Sequence, residues 1–262
     1  MKHILKYFFS ICLVFLVLVS SAQKTNTPNG SAVLPTTLSK STNKDAKTIT
    51  DTNTVAKTTR YGLRLGVDLF KISRSLYDKN YKGIEFTGDY RVTKKYFIAA
   101  ELGNENKTTT DDRVHFATKG SYLKVGFDYN GYQNWLDMEN SIYVGLRYGF
   151  SSFNQQLYSY KIYNATPYFA EVQNSVSGQN YDGLTASWAE VVAGIKAKVF
   201  NNVFVGFSLR LNSLISNKKP ANFDNLYIPG FNRTYNGSFG VGFNYSVSYL
   251  IPIYKKNVRS PK

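Results

Sequence analysis

The chain of 262 residues carries 21 Tyr, 18 Phe and 19 Gly, with 19% charged residues and a formal net charge of +15. That mix is too apolar and aromatic for a disordered chain, and too rich in Tyr, Phe and Gly for a helical bundle. A content of 1 Cys and 2 His excludes a disulfide scaffold, a zinc finger, an iron–sulfur protein and a Cys/His catalytic dyad, so no metal and no cofactor are expected.

The first 22 residues read as a secretory signal peptide. Lys2 and Lys6 form a positive start, Tyr7 to Val19 is nearly unbroken apolar sequence, and Ser20-Ser21-Ala22 supplies small residues before Gln23. Cleavage after Ala22 removes Cys12, Lys2 and Lys6, lowering the net charge from +15 to +13. Residues 23–59 are Thr, Asn, Ser and Lys without a period of 2 or 3.6, which implies a disordered periplasmic linker. Its basic balance reads first as a solvated spacer; a tether to an anionic cell-wall polymer is the alternative.

From Arg60 the pattern changes to period 2. Leu63, Leu65, Val67 and Leu69 alternate with Arg64, Gly66 and Asp68, and seven further runs follow, at 84–92, 96–103, 122–129, 142–150, 188–199, 203–211 and 239–251. Each is about 9–13 residues, the length a tilted strand needs to cross a bilayer. The connections alternate long and short, with long ones at 72–83, 104–120, 151–182 and 213–236. Small outer-membrane barrels have long extracellular loops, short periplasmic turns and both chain ends on the short side. The pattern predicts an all-β, eight-stranded, antiparallel, transmembrane up-and-down β-barrel over 60–254, followed by a short basic tail at 255–262.

A soluble lipid-carrying barrel would alternate too, with its faces reversed. An eight-stranded barrel has an interior only just wide enough for side chains to fill. The bulky Val, Ile, Leu, Phe and Tyr of one face would overfill it, whereas the Gly, Ser, Asn and charge of the other face would fit. The apolar face is therefore expected to meet lipid. The proposed lumen holds Arg64, Arg91, Lys124, Arg147, Lys196, Lys198 and Arg210 against Asp68, Glu85, Asp89, Glu101, Glu105, Asp128 and Glu190. Charges so balanced neutralise one another by pairing; an ion path would show an excess of one sign. Lys124, Arg147 and Glu190, near mid-height on consecutive strands, are expected in one network.

Several segments resemble a known family. They are Gly66-Val67-Asp68-Leu69, Tyr81-Lys82-Gly83-Ile84-Glu85, Gly120-Ser121-Tyr122-Leu123-Lys124, Trp188-Ala189-Glu190-Val191-Val192 and Tyr227-Ile228-Pro229-Gly230-Phe231. With Tyr143–Gly149 and Tyr249–Tyr254, they are similar to an uncharacterised family of Bacteroidota outer-membrane β-barrels, the domain-of-unknown-function family numbered 6048. Its architecture is similar to that of small eight-stranded OmpA/OmpX-like barrels. The resemblance implies a fold and an outer-membrane location and lends no catalytic residue.

The long loops are the expected working surface. Tyr158, Tyr160, Tyr163, Tyr168, Phe169 and Tyr181 in the longest, with Phe231 in the last, suit recognition of an extracellular ligand. They suit equally well a cap over the barrel mouth. Arg74, Lys79, Lys82, Lys218, Lys219 and Arg233 are expected near lipopolysaccharide phosphates. The final aromatic strand resembles the segment that the barrel assembly machinery reads. Nucleic acid is not an expected partner, because the basic residues are scattered. The alternatives are a narrow pore for small solutes and a lipid-modifying enzyme using His115, which lies beside Asp111 and Asp112 without a positioned nucleophile.

Overall fold

The computed structural model describes residues 57–132, 139–161, 173–220, 223–232 and 238–258. The proposed leader and nearly all of the linker lie outside these residues. Among the described residues, eight strands and one helix follow in chain order: β1 (Lys57–Asp68), α1 (Leu69–Tyr77), β2 (Tyr81–Arg91), β3 (Tyr96–Thr110), β4 (Val114–Asn130), β5 (Ser141–Lys161), β6 (Gln173–Phe200), β7 (Val203–Asn217) and β8 (Phe239–Val258). Each pairs antiparallel with the next, and β1 closes on β8 from Lys57↔Val258 to Asp68↔Ser246. No helix among the described residues is long and apolar enough to cross a membrane, which says nothing of a β-barrel.

All eight alternating runs are strands, and most are longer than the alternation indicated. β5 and β6 reach 21 and 28 residues, so much of the expected 151–182 loop is strand. β3 and β4 likewise absorb most of 104–120. β1 begins inside the presumed linker and β8 runs into the presumed tail. The expected 72–83 loop is in part helix α1.

A change of polarity along the barrel accounts for the hidden strand length. On β5 the outward residues Ile142, Val144, Leu146, Tyr148 and Phe150 are exposed and apolar, while inward Gly149 and Arg147 are covered. Beyond Phe150 the faces exchange character. Ser152 and Asn154 now point outward, whereas Phe153 and Leu157 point inward and are 2% and 1% exposed. On β3–β5 the exchange falls at one register, whereas on β2 the outward Ile84, opposite Asn104, is still apolar. Leu102, Leu123 and Phe150 stand in register below it; Asn104, Ser121 and Ser152 stand in register above it. Asn104 donates to Ser121 Oγ at 2.8 Å on that polar outer ring. A search for one continuous apolar face stops at this level, because the apolar set crosses to the other side of the strand.

The upper interior is therefore an aromatic core: Tyr122, Phe153, Leu184, Trp188, Ile228 and Phe231 form one cluster, and Phe116, Leu157 and Tyr227 a second. Gly149 makes room for it, since a Cβ there would fall on the Trp188 indole. Gly149→Val is expected to cost about 1–3 kcal/mol through overpacking. The urea unfolding midpoint, read together with the emission of buried Trp188, checks this.

Candidate functional site

The lumen is built as a stack of charge layers between two closed ends. At the end with the short turns, Arg60 donates from Nε to Glu139 at 2.7 Å, and Lys198 lies 3.4 Å from the same carboxylate. Arg60 stands on β1 and Glu139 on the β4–β5 connection, so this bond crosses the mouth of the barrel. Burial alone would raise the Glu139 carboxyl, but the hydrogen bond and charge of Arg60 and the charge of Lys198 outweigh it and hold the group below its ordinary value. Arg91 completes the floor: its guanidinium sits 5.5 Å from the Tyr61 ring and 5.4 Å from Phe97, and donates to the carbonyls of Thr93, Lys94 and Arg60.

One layer up, Asp89 accepts from Arg64 Nε and Lys196 Nζ, each at 2.6 Å. Arg64 also lies over Phe97 and Phe204. A narrow crevice here, lined by Arg64, Phe97, Asp128, Tyr143 and Lys196 among others, leaves no room for a molecule the size of water. Arg147 then pairs with Asp128 at 2.7 Å.

Glu101 is the hub of the next layer. It accepts both terminal nitrogens of Arg210, at 2.7 and 3.2 Å, and lies 3.6 Å from Lys124 Nζ and 3.8 Å from Arg147 Nε. Lys124 and Arg210 both reach on to Glu190, at 3.2 and 3.4 Å. Lys124 is 2% and Glu190 1% exposed, so side chains fill the section at this height. Lys124, Arg147 and Glu190 thus meet through Glu101 and Arg210, which stand on the flanking strands β3 and β7.

Above the hub, Glu85 and Glu105 share Lys71, at 2.7 and 2.6 Å. Tyr122 donates to Glu85 and takes a bond from Lys71. Asp68, grouped by sequence with the ion pairs, has a different partner set: it caps helix α1 by accepting from the N–H groups of Phe70 and Lys71 and accepts from Asn244 Nδ2 at 2.6 Å. A carboxylate at this position satisfies the free amides that every helix start exposes.

The long-loop end is closed by the β7–β8 connection. Tyr227 and Gly230 enter the mouth and donate to Glu105 Oε2 at 2.6 and 3.2 Å. Gly230 has φ +81, and a Cβ there would lie 2.5 Å from Tyr122 Cγ, so only glycine turns the chain at this point. The turn sends Phe231 onto Trp188, with ring centroids 5.7 Å apart and planes at 82°. Burial first, and then the Glu105 carboxylate, push the Tyr227 hydroxyl well above its ordinary pKa and keep it a donor.

The loop aromatics have separate fates. Phe231 is 0% exposed and is part of the plug, which corrects its expected place on a recognition surface. Tyr160 packs near Phe223, and Tyr181 packs against both aromatic clusters. The Tyr158 ring lies 4.7 Å from that of His115 at a tilt of 38°, and His115 stands opposite Ser159 on the neighbouring strand. Tyr163, Tyr168 and Phe169 lie outside the described residues. Among the described residues no group of three or more His, Cys, Asp or Glu is disposed to hold a metal ion.

The family model for a domain of unknown function (DUF6048) matches residues 4–256. The chain belongs to the DUF6048 family. No curated protein matches it. In this DUF6048 member, sequence reasoning missed Lys71, Tyr122, Trp188, Asn244 and the Tyr227–Phe231 plug. Two signals were present. Leu69, Ile72 and Leu76 follow helical spacing directly after Asp68, and Ile228-Pro229-Gly230-Phe231 is an apolar island in a polar loop.

Removing the hub carboxylate leaves three buried cations short of their shared partner. Glu101→Gln is expected to cost about 3–5 kcal/mol of stability, measured by equilibrium urea unfolding. The crossbar gives a pH prediction with a defined sign. The folded-state pKa of Glu139 is depressed, so its contribution is complete above the unfolded value of about 4.3 and is lost as pH falls through the folded value. Urea midpoints taken from neutral pH downward should diverge between the native chain and Glu139→Gln at neutral pH and converge in acid.

Proposed function

We propose that the protein is an outer-membrane β-barrel of structural or recognition type, exported by its leader, with a closed lumen and its long-loop end as the working surface. The observation that carries this reading is the exchange of polarity at the Leu102–Leu123–Phe150 level. On β3–β5 the outside below it is apolar and the inside charged; above it the outside of these strands is polar, and the interior is largely aromatic around the Glu105–Lys71 pair. Water on both faces of the wall would favour neither arrangement over the whole height. A hydrocarbon layer ending at that level on the β3–β5 side accounts for both halves. On β5, Ile142 to Phe150 then spans the apolar layer over about 26 Å of strand, which tilt shortens.

The closed-lumen reading rests on the filled section at Lys124 and Glu190, with the Arg60–Glu139 bar below and the Tyr227–Phe231 plug above. A soluble lipid carrier would need an apolar interior where the charge stack lies. Both chain ends then face the periplasm, and the polar ends of β3–β6 stand outside the cell.

The test compares two outward positions on one strand. Leu146→Lys, in the apolar half, is expected to cost about 2–4 kcal/mol of folding free energy in lipid vesicles, whereas Asn154→Lys should cost close to zero. Equal, small effects at both positions would overturn the reading. Envelope fractionation gives the second check: the full chain should be recovered with the outer membrane, and its gel mobility should change on boiling. Recovery in the soluble periplasm, or steady single-channel conductance in a planar bilayer, would remove the membrane and closed-lumen parts respectively.

A further inference from the structure

Strand β1 is too short for the wall it belongs to. It ends at Asp68, opposite Ser246 of β8, and its last partner on β2 is Phe86, opposite Val67. Above that level Tyr81–Glu85 of β2 pair with β3, and Phe239–Tyr245 of β8 pair with β7, with no strand between them. Helix α1 stands in this gap. Its inward side is bonded to the barrel: Lys71 reaches Glu85 and Glu105, and Ser75 Oγ takes the Gly83 N–H at 2.8 Å, a bond that a strand would otherwise have supplied. Arg74 lies 4.1 Å from the Tyr81 ring, and Asp78 O accepts the Tyr81 N–H at 3.0 Å.

The opposite side of the helix is mainly apolar and uncovered, with exposed Ser73 set among its apolar side chains. Leu69, Leu76 and Tyr77 are 39%, 85% and 71% exposed. This reverses the usual arrangement of a surface helix in water, whose polar face looks outward. Phe70 packs at 4.5 Å on Phe243 of β8, which joins the helix to the apolar outer surface of the barrel. On the other flank the outward residues of β2 run Phe86, Ile84, Lys82, so the apolar surface ends on a cation. Exposed Lys79 lies just beyond the helix, and the nearby Asp78 is engaged by Arg74.

Resting on the membrane reading above, we propose that α1 is a lipid-docking segment of the wall. Its apolar side takes acyl chains of the outer leaflet, and Lys79 and Lys82 take the phosphate of a phosphorylated glycolipid. The outer leaflet follows from position, because the helix lies at the end that carries the long connections. An apolar side bordered by lysines at one end is the pattern of a helix lying in a lipid interface.

The experiment uses the full chain with Cys12→Ser, refolded into phosphatidylcholine vesicles. An environment-sensitive label is placed in turn at Leu76→Cys, at Leu146→Cys on the barrel wall and at Lys218→Cys in the last loop. Acyl-brominated lipid should quench the first two labels at least twofold more than the third. Quenching at 146 with a water-like label at 76 overturns the docking proposal and leaves the barrel reading standing. Absence of quenching at both overturns the barrel reading itself. The headgroup is tested by lipid retention: native chain should keep lipid A in preference to phosphatidylglycerol, and Lys79→Glu with Lys82→Glu should reduce that retention about tenfold. Equal retention of the two lipids, or no change in the double variant, overturns the glycolipid assignment. A boiling-dependent gel shift of every variant verifies that each is folded.

Discussion

A closed ladder of hydrogen bonds is the constraint on which everything else in this molecule depends. Eight antiparallel strands joined back to the first leave the sheet without a free edge over most of the wall, so the backbone is satisfied by the strands themselves. The side chains are then free to differ completely between the two faces, and to exchange character part-way up. Where the ladder fails, above Asp68, side-chain and main-chain bonds from Ser75 and Asp78 take its place on the β2 edge.

The lumen charges follow from the same closure. An interior this narrow holds little solvent, and isolated ions there would carry a large desolvation cost. The chain meets this by giving most of the carboxylates more than one partner, Asp128 pairing among the described residues with Arg147 alone. Glu101 joins residues of β4, β5 and β7, and Lys71 joins β2 to β3 from outside the strand system. Such pairs add little net stability compared with apolar packing, yet breaking one is costly. Their effect is to define which strand faces which across the lumen.

The eight strands and the identity of the inward face were legible in the sequence, because a period of 2 with bulky residues on one face admits one sensible closure. A network of Lys124, Arg147 and Glu190 could be anticipated from their height on three consecutive strands. Its closure through Glu101 of β3 and Arg210 of β7 could not, since no linear signal sets which lumen charges reach one another. The upper reaches of β5 and β6 were hidden by the shift from Phe150 outward to Phe153 inward, which looks like loss of pattern when only one face is followed. Helix α1 was hidden because nine residues of mixed polarity between two strands read as loop. Phe231 looked like a surface aromatic for want of any linear signal that Gly230 turns inward.

The bond between Arg60 and Glu139 has a mechanical meaning. In a ring of eight strands, β1 and the β4–β5 connection stand half a circumference apart, so the bond is a diameter. A cylinder tied across its opening resists being flattened into an ellipse, because one axis cannot lengthen while the tie holds. The plug does the same at the opposite rim. Lateral pressure on the wall is thus carried by two braces rather than by the sheet alone, and one of the braces is an ion pair that acid can undo.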